Sequence, residues 1–508
     1  MDFEGPRPSL SEEENSDAKS EAAQESHAAS PVSYEPKIRC RLTRDQITSE
    51  SSNSVRFEFL AEGAANTVFR VVPYSLQDGK ESFVFEDDQG NILAKEKLAK
   101  NVLRMSKGKP KTLKYKEIME GFETVVKPLF RKTEPSEEGA SSRSTAIKLS
   151  INESFEEFIM DHEGVAITPE AINALLAEMH THCPDNRHIE SHHLEERGIL
   201  LPDMSSVLGS VTTIEIKPKW LLQSPNAPRD AYLCRTCALQ ASRQSKKTIK
   251  KTWICPLALV AGNKAAIEPY IRHRSLSTMA EKPGHHVLRM YTYFYPEYSC
   301  PAHQWMDVFA WSTSNRQTMM LLQHMARNYR IRNIAPERVH GLFYPSIDKS
   351  SPNSLEIITN ASTDRPSRDE EALNQHLEDE VEAVVQRAVP YLTTGPGHHI
   401  LQHIRYLQGQ LDPAGVLSCP LSSTEEDRLR LAMTLRDCSL FIRIPWADPN
   451  APIEAKLGDL DFKSRGKKQD WSMKEEGLLH GGWYVDLESR MDECWIAQGW
   501  KKYAPHYF

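Results

Sequence analysis

An α+β fold, large enough to form two lobes, is what this sequence predicts, on three observations. Runs with the two-residue alternation of strands gather between Val55 and Met105 and return between Asp437 and Asp461, while stretches with helical spacing fill much of the remaining sequence. At 508 residues the chain suffices for two or three domains or one large two-lobed fold. With 39% hydrophobic and 26% charged residues it has the composition of a soluble globular protein, and no apolar run approaches the roughly eighteen residues of a membrane span. A net charge of -8 argues against nucleic acid or a membrane surface as partner, since both favour a basic field. Nine scattered cysteines, an odd number, fit reduced thiols. The first thirty residues have neither a basic start nor an apolar segment, so no secretory signal is read there and nucleus or cytoplasm is the expected compartment.

Residues 1–38, rich in Ser, Glu and Ala, have little to bury and are expected to be a disordered acidic tail. VRFEFLAEGAANTVFRVVPY from Val55 reads as strand, tight loop, strand, and NVLRM (Asn101 to Met105) as a third strand. The lysines of SKGKPKTLKYK (Ser106 to Lys116) are expected in a solvated loop and helix start. AINALLAEMH (Ala171 to His180) has a helical pattern, and GILLPDM (Gly198 to Met204) reads as a buried strand running into a turn. In SVTTIEIKPKW (Ser210 to Trp220), strand alternation puts Ile214, Ile216 and Pro218 on one face and Glu215, Lys217 and Lys219 on the other. Pro218 cannot donate to a ladder, which places the stretch at a strand end or sheet edge. RDAYLCRTCALQASR has helical spacing, with Arg235 and Arg243 about two turns apart. A polar, Pro/Ser/Asp-rich insertion is expected near residues 350–371, followed by helices over Glu370 to Ala388, His399 to Gln408 and Glu425 to Leu435. DCSLFIRI reads as a strand from Asp437, and KLGDLDFKSRGKK as a strand end emptying into a basic loop.

Five stretches carry chemistry. The small residues of EGAAN let backbone N–H groups approach phosphates, although an ordinary hairpin would use the same residues. Arg104 on the third strand could point at those phosphates, or lie on the surface. Asp437, with Asp459 or Asp461, offers the carboxylates that phosphoryl transfer needs for Mg²⁺ and for the attacking hydroxyl; as plain turn formers they would look alike. Lys463, Arg465, Lys467 and Lys468 concentrate charge suited to several phosphates. The EIKPK face could equally be a solvated strand end.

EGAAN, EIKPK, RTCALQ, CPLALVAG, RDCSLFI and GDLDFK, in this order over Glu62 to Trp471, resemble the sequence boxes of the inositol-pentakisphosphate 2-kinases, in particular their fungal branch. The resemblance implies a two-lobed kinase-like fold, with a small sheet-rich N-terminal lobe (residues 39–205) and a larger mixed C-terminal lobe (206–508). It implies ATP and Mg²⁺, with inositol pentakisphosphate converted to the hexakisphosphate, phytate. Gly63, Ala64, Ala65 and Asn66 would cover the ATP phosphates, Arg104 would reach them, and Pro202, Asp203 and Met204 would hold adenine and ribose. Glu215 and Lys217 would face the nucleotide, with Lys217 counted among the catalytic residues. Lys219, Arg187, Arg243, Lys463, Lys467 and Trp471 would bind the inositol phosphates. Asp437 would be the base at the 2-hydroxyl and Asp459 the Mg²⁺ ligand. A monomer is expected.

The departures from the family pattern are a Lys at 467 for an Arg, a Trp at 471 for a Tyr, Ala258 for an acid in PLALVAG, and His285 or His286 where an asparagine is expected. The departures at Ala258 and Trp471 motivate one alternative, a non-catalytic inositol-polyphosphate-binding protein; a kinase for a less phosphorylated inositol is a further one. Cys234 and Cys237 form a CxxC, and His180, His182, Cys183, His188, His192 and His193 crowd one stretch. These are raw material for zinc, without the second regularly spaced pair that a strong signal has.

Overall fold

The computed structural model describes residues 34–43, 53–63, 65–74, 81–108, 112–133, 153–182, 194–207, 210–244, 253–280, 368–418, 421–485 and 494–503, all but residue 34 in the unit Glu35–Phe508. Most of the expected tail and insertion lie outside the described residues, as do Ala64, Arg187, His285 and His286.

Seven strands form a closed barrel in the order β1-β4-β2-β3-β5-β7-β6. They are β1 (Ile38–Leu42), β2 (Val55–Glu62), β3 (Asn66–Pro73), β4 (Phe83–Glu86), β5 (Asn101–Ser106), β6 (Glu163–Ile167) and β7 (Arg197–Pro202). Three of these, β2, β3 and β5, follow from alternation and β7 from its short apolar run; the short β1, β4 and β6 are not among the expected strands. Closure depends on them, because β6 runs parallel to β1 with Arg39 opposite Ala166. Phe57, Phe69, Phe83, Phe85, Leu103, Met105 and Leu200 fill the interior, and the Phe57 and Phe83 rings meet edge to face at 4.7 Å. Helix α3 (Pro169–His182), after the short α1 (Lys95–Leu98) and α2 (Tyr115–Gly121), packs Ala171, Leu175 and Met179 into this core. Gly164 is required where β6 passes under Tyr115, since a Cβ there would overlap the phenol oxygen.

A second sheet has three antiparallel strands in the order β10-β9-β8: β8 (Thr212–Ile216), β9 (Ser439–Ile444) and β10 (Glu454–Gly458). β8 is at the edge, as Pro218 predicts. Around it lie α4 (Arg235–Gln244), α5 (Pro256–Val260), α6 (Lys264–Ala280), α7 (Arg368–Thr393), α8 (Pro396–Leu411) and α9 (Ser423–Asp437). α10 (Lys468–His480) and α11 (Trp495–Tyr503) complete the described α-helices. Ile214, Ile216, Val384, Leu392, Ile404, Leu435, Leu440 and Ile442 share one buried cluster, so sheet and helices close a single core. At about 25 cal/mol per Å² of apolar surface removed from water, each large side chain buried there contributes roughly 2 kcal/mol. No described helix is long and apolar enough to cross a membrane.

Two boundaries differ from expectation. α9 continues through Asp437, and β9 starts only at Ser439, so the aspartate is the last residue of a helix, capped by Cys438, instead of opening a strand. The residues after Lys467 enter α10, so the basic loop is short.

Candidate active site

The end of β8 and the junction of α9 with β9 lie side by side, because Ile216 pairs with Leu440 and Gly458 with Ser439. That register brings Glu215, Lys217, Ser439 and Asp459 together. Lys217 Nζ donates to Ser439 Oγ at 2.8 Å and to Asp459 Oδ2 at 3.0 Å, and lies 3.3 Å from Glu215 Oε1. Ser439 Oγ lies 2.6 Å from Glu215 and 3.0 Å from Asp459, so its proton can serve either carboxylate. Burial disfavours the Lys217 ammonium, but the Asp459 and Glu215 carboxylates outweigh it and hold the pKa above the usual lysine value. Lys217 is therefore a cation at neutral pH.

Two residues before Ser439, Asp437 meets a different pair. Lys219 Nζ donates to Oδ1 at 2.9 Å, and Lys463 Nζ donates to Oδ2 at 3.0 Å. A carboxylate at a helix C-terminus faces the negative end of the dipole, and partial burial pushes its pKa up further. The two ammoniums override both and hold Asp437 at about 2.

Lys219 reaches Asp437 by a turn that alternation does not describe. β8 ends at Ile216, and Lys219 has φ +58°, in the left-handed region that a lysine rarely occupies. Its surroundings impose this conformation. Gln408 Nε2 donates to the Lys219 carbonyl at 2.9 Å, while Gln408 Oε1 accepts from Leu221 N–H at 2.9 Å. Trp220 lies between the guanidiniums of Arg436, 3.6 Å from its ring centre, and Arg235, at 4.4 Å. Arg436 is paired with Asp412 at 2.6 Å and Arg235 with the fully buried Glu475 at 2.9 Å. Gln408, Arg436 and Glu475 are absent from the sequence reading, since each acts through a fold contact. Arg436 alone had a local signal, its place beside Asp437.

Asp461, two residues after Asp459, points to the barrel and accepts both guanidinium nitrogens of Arg104, Nη1 at 2.9 Å. With its amide oxygen facing the guanidinium, Asn66 accepts from Arg104 Nη2 at 2.7 Å. Arg104 is thus buried in an ion pair joining β5 to the segment after β10 and is not a surface arginine. The β2–β3 turn closes with Gly63 N–H donating to the Asn66 carbonyl at 2.8 Å, and Lys107 N–H donates to the Ala65 carbonyl at 2.9 Å. Lys107, expected in solvent, is only 3% exposed; its ammonium donates to Glu62 and, at 2.6 Å, to the Gly63 carbonyl. After β7, Asp203 accepts from Ser205 N–H at 2.8 Å and faces Arg70 at 3.4 Å, next to the buried Met204 and half-buried Pro202.

The remaining predicted residues divide. Lys467 is exposed at the start of α10, and Arg243 is exposed near the end of α4, where no described contact joins it to the Asp437 cluster. Trp471, expected at a phosphate, is 8% exposed and packs with Trp220, Leu429 and Met433. Helical periodicity turns it to the core side of α10. Ala258 is fully buried, in a tight cluster where an acid would have no room for water.

The family described as inositol-pentakisphosphate 2-kinase matches residues 59–477, which encloses all six boxes. A segment of 47 residues is 57% identical to a Yarrowia lipolytica protein named inositol-pentakisphosphate 2-kinase. That match spans 9% of this chain and 14% of the relative.

Proposed function

The chain belongs to the inositol-pentakisphosphate 2-kinase family, and on that premise we propose that it transfers the γ-phosphoryl group of ATP to the 2-hydroxyl of inositol 1,3,4,5,6-pentakisphosphate, giving the hexakisphosphate. The observation that carries this reading is the adjacency of two charge clusters at the α9–β9 junction. One is an aspartate held by two lysines; the other is a lysine, serine and two carboxylates. Phosphoryl transfer needs little covalent help from the protein and much positioning and charge compensation, and the clusters supply these in two portions.

In this reading the fold works as a two-lobed kinase, with the barrel (residues 39–205) as the smaller lobe and residues 206–508 as the larger one. Gly63 to Asn66 cover the ATP phosphates, with Arg104 and Asn66 at their edge, and the segment Pro202 to Met204 holds adenine and ribose. Asp459 with the Ser439 hydroxyl and Glu215 forms a set of hard oxygen donors that fits Mg²⁺. When bound, the metal neutralises charge on the phosphates. Lys217 compensates the transferring group from the other side of the same carboxylates. Arg187, Lys219, Arg243, Lys463 and Lys467 meet the inositol phosphates, with Trp471 supporting the wall behind them.

Asp437 orients and deprotonates the attacking hydroxyl. A carboxylate at about 2 is a poor base. Lys219 and Lys463 are also the cations best placed to meet incoming phosphates. As they turn from Asp437 to the substrate, its pKa rises toward the usual carboxylate range, so substrate binding itself prepares the base. Incubating the full chain with ATP, Mg²⁺ and the pentakisphosphate, and resolving products by anion-exchange chromatography, tests the reading. Hexakisphosphate is the expected product. Binding without turnover would show a non-catalytic binding protein, and preference for a less phosphorylated inositol in kcat/KM would reassign the substrate.

A further inference from the structure

The segment after β10 carries two charged groups with separate tasks, Asp461 and Lys463, yet no ladder or helix of its own holds it. β10 ends at Gly458, and residues 459–464 run without regular structure to the single turn Arg465–Lys467. The backbone of such a stretch needs hydrogen-bond partners from elsewhere. Here α9 supplies them. Arg430 Nε donates to the Lys463 carbonyl at 2.6 Å, and the Lys463 N–H donates to Thr434 Oγ at 3.2 Å. The Thr434 side chain is buried, and its hydroxyl proton is within reach of the Asp461 carbonyl, at 3.2 Å, and of the Arg430 carbonyl one turn back, at 3.1 Å.

The ring between the two charged residues is held as well. The Arg430 guanidinium lies over Phe462, 4.0 Å from the ring centre. On the barrel side, a Cβ at Gly121 of α2 would stand 2.9 Å from Phe462 Cβ, so the absence of a side chain there lets the segment pass close. Arg430 is itself fixed by Asp427, which accepts from its Nη1 at 2.6 Å in a pair whose side chains are 13% and 22% exposed. A carboxylate, a carbonyl and a ring face thus occupy this guanidinium. Arg430, Thr434 and Asp437 stand at i, i+4 and i+7 of α9, on one face of the helix. The helix that ends in Asp437 therefore also grips the backbone of the lysine that Asp437 meets, at 3.0 Å.

We propose that Arg430, together with Thr434, is a positioning residue for the inositol phosphate: by pinning the backbone of Lys463 it keeps that ammonium beside Asp437, where it can pass to a substrate phosphate. This role rests on the reading of Lys463 as a phosphate contact. A lysine on a loose segment has to be ordered at each binding event. One whose backbone is pinned at both its N–H and its carbonyl gives up only side-chain freedom, so the pin acts on affinity for the inositol substrate and not on the nucleotide. Arg430 acts through Lys463 and is not itself a ligand contact.

Isothermal titration calorimetry of the full chain with inositol 1,3,4,5,6-pentakisphosphate, alongside steady-state kinetics, tests this role. Arg430→Ala and Thr434→Val should each weaken binding and raise KM for the pentakisphosphate about fivefold, the worth of one hydrogen bond, with KM for ATP close to the parent's. Thr434→Ser, which keeps the hydroxyl, should bind like the parent. In a Lys463→Ala background, Arg430→Ala should add less than about twofold, because the lysine it serves is gone. An equal rise in both KM values would mark Arg430 as merely structural and overturn the proposal, as would full additivity with Lys463→Ala. If Arg430→Ala fails to fold, the pair Thr434→Val and Thr434→Ser decides. A parent that binds no pentakisphosphate would overturn the functional reading itself, and hydrogen exchange, which needs no ligand, would still judge the pin. Residues 461–464 should exchange faster in both variants than in the parent; unchanged protection would overturn it.

Discussion

Asp437 and Asp461 stand 24 positions apart, each held by cations, and the comparison separates two uses of one interaction. Asp461 is gripped by a single buried guanidinium whose fork matches the carboxylate, and burial, which pushes its pKa up, is outweighed by Arg104. Asp437 is 53% exposed and held by two lysines, point charges on flexible stems. A buried fork has no cheap alternative partner, so it joins two parts of the fold. Half-buried lysines that reach a partly exposed carboxylate exchange more readily between it and a phosphate, so theirs is the arrangement suited to a ligand.

The largest test of this contrast is at Asp437 itself. Asp437→Asn should reduce turnover by about 10³-fold or more, the scale of a lost acid–base group, with only the small drop in melting temperature that losing partly exposed ion pairs brings. A parallel collapse of activity and stability would erase the distinction. Asp461→Asn should do the opposite first: leaving Arg104 buried without its partner should cost about 3–5 kcal/mol in urea unfolding. The double variant Arg104→Met, Asp461→Leu should recover much of that loss if the pair is a strut.

Lys219→Ala or Lys463→Ala should raise KM for the inositol substrate about tenfold, the value of roughly one charge-assisted contact. Either change also removes a cation that depresses the Asp437 pKa. In the parent, a lowered carboxylate pKa contributes stability that is fully present above the ordinary value near 4 and is lost as pH falls through about 2. In each lysine variant the Asp437 carboxyl should titrate at higher pH, measurable by ¹³C NMR of labelled aspartate. An unmoved titration would mean the lysines do not set it. The smallest effect concerns the turn. Lys219→Gly should relieve left-handed strain worth about 1 kcal/mol and raise the melting temperature slightly, even as the Asp437 contact is lost. A decrease would show that the lysine side chain stabilises the turn by more than its backbone strains it.

Much of the site was legible because strand alternation and residue type are local. Glu215 and Lys217 share a face as the period of two requires, and β8 lies at an edge as Pro218 requires. Lys219 lies beside Asp437 for a reason that alternation did not contain, a left-handed turn held by Gln408 and by two arginines on Trp220. GDLDFK offered two aspartates, and nothing in the six letters says that one faces Lys217 and the other Arg104. Trp471 is a phosphate contact only by the family resemblance, and nothing in its local sequence says that one helical turn packs it against Trp220, Leu429 and Met433.

The amino-acid sequence by itself determined the kinds of element, the order of the boxes and which side chains can carry charge at neutral pH, because propensity, periodicity and ionisation are properties of a residue and its near neighbours. Tertiary structure alone decided the partners. The β1–β6 pairing that closes the barrel, the gathering of Cys234, Cys237, Cys255 and Cys494, and the Arg104–Asp461 pair, 357 positions apart, are contacts for which no local period exists. They form only when the burial of two cores brings distant strands into register, and with them the lysines on either side of Asp437.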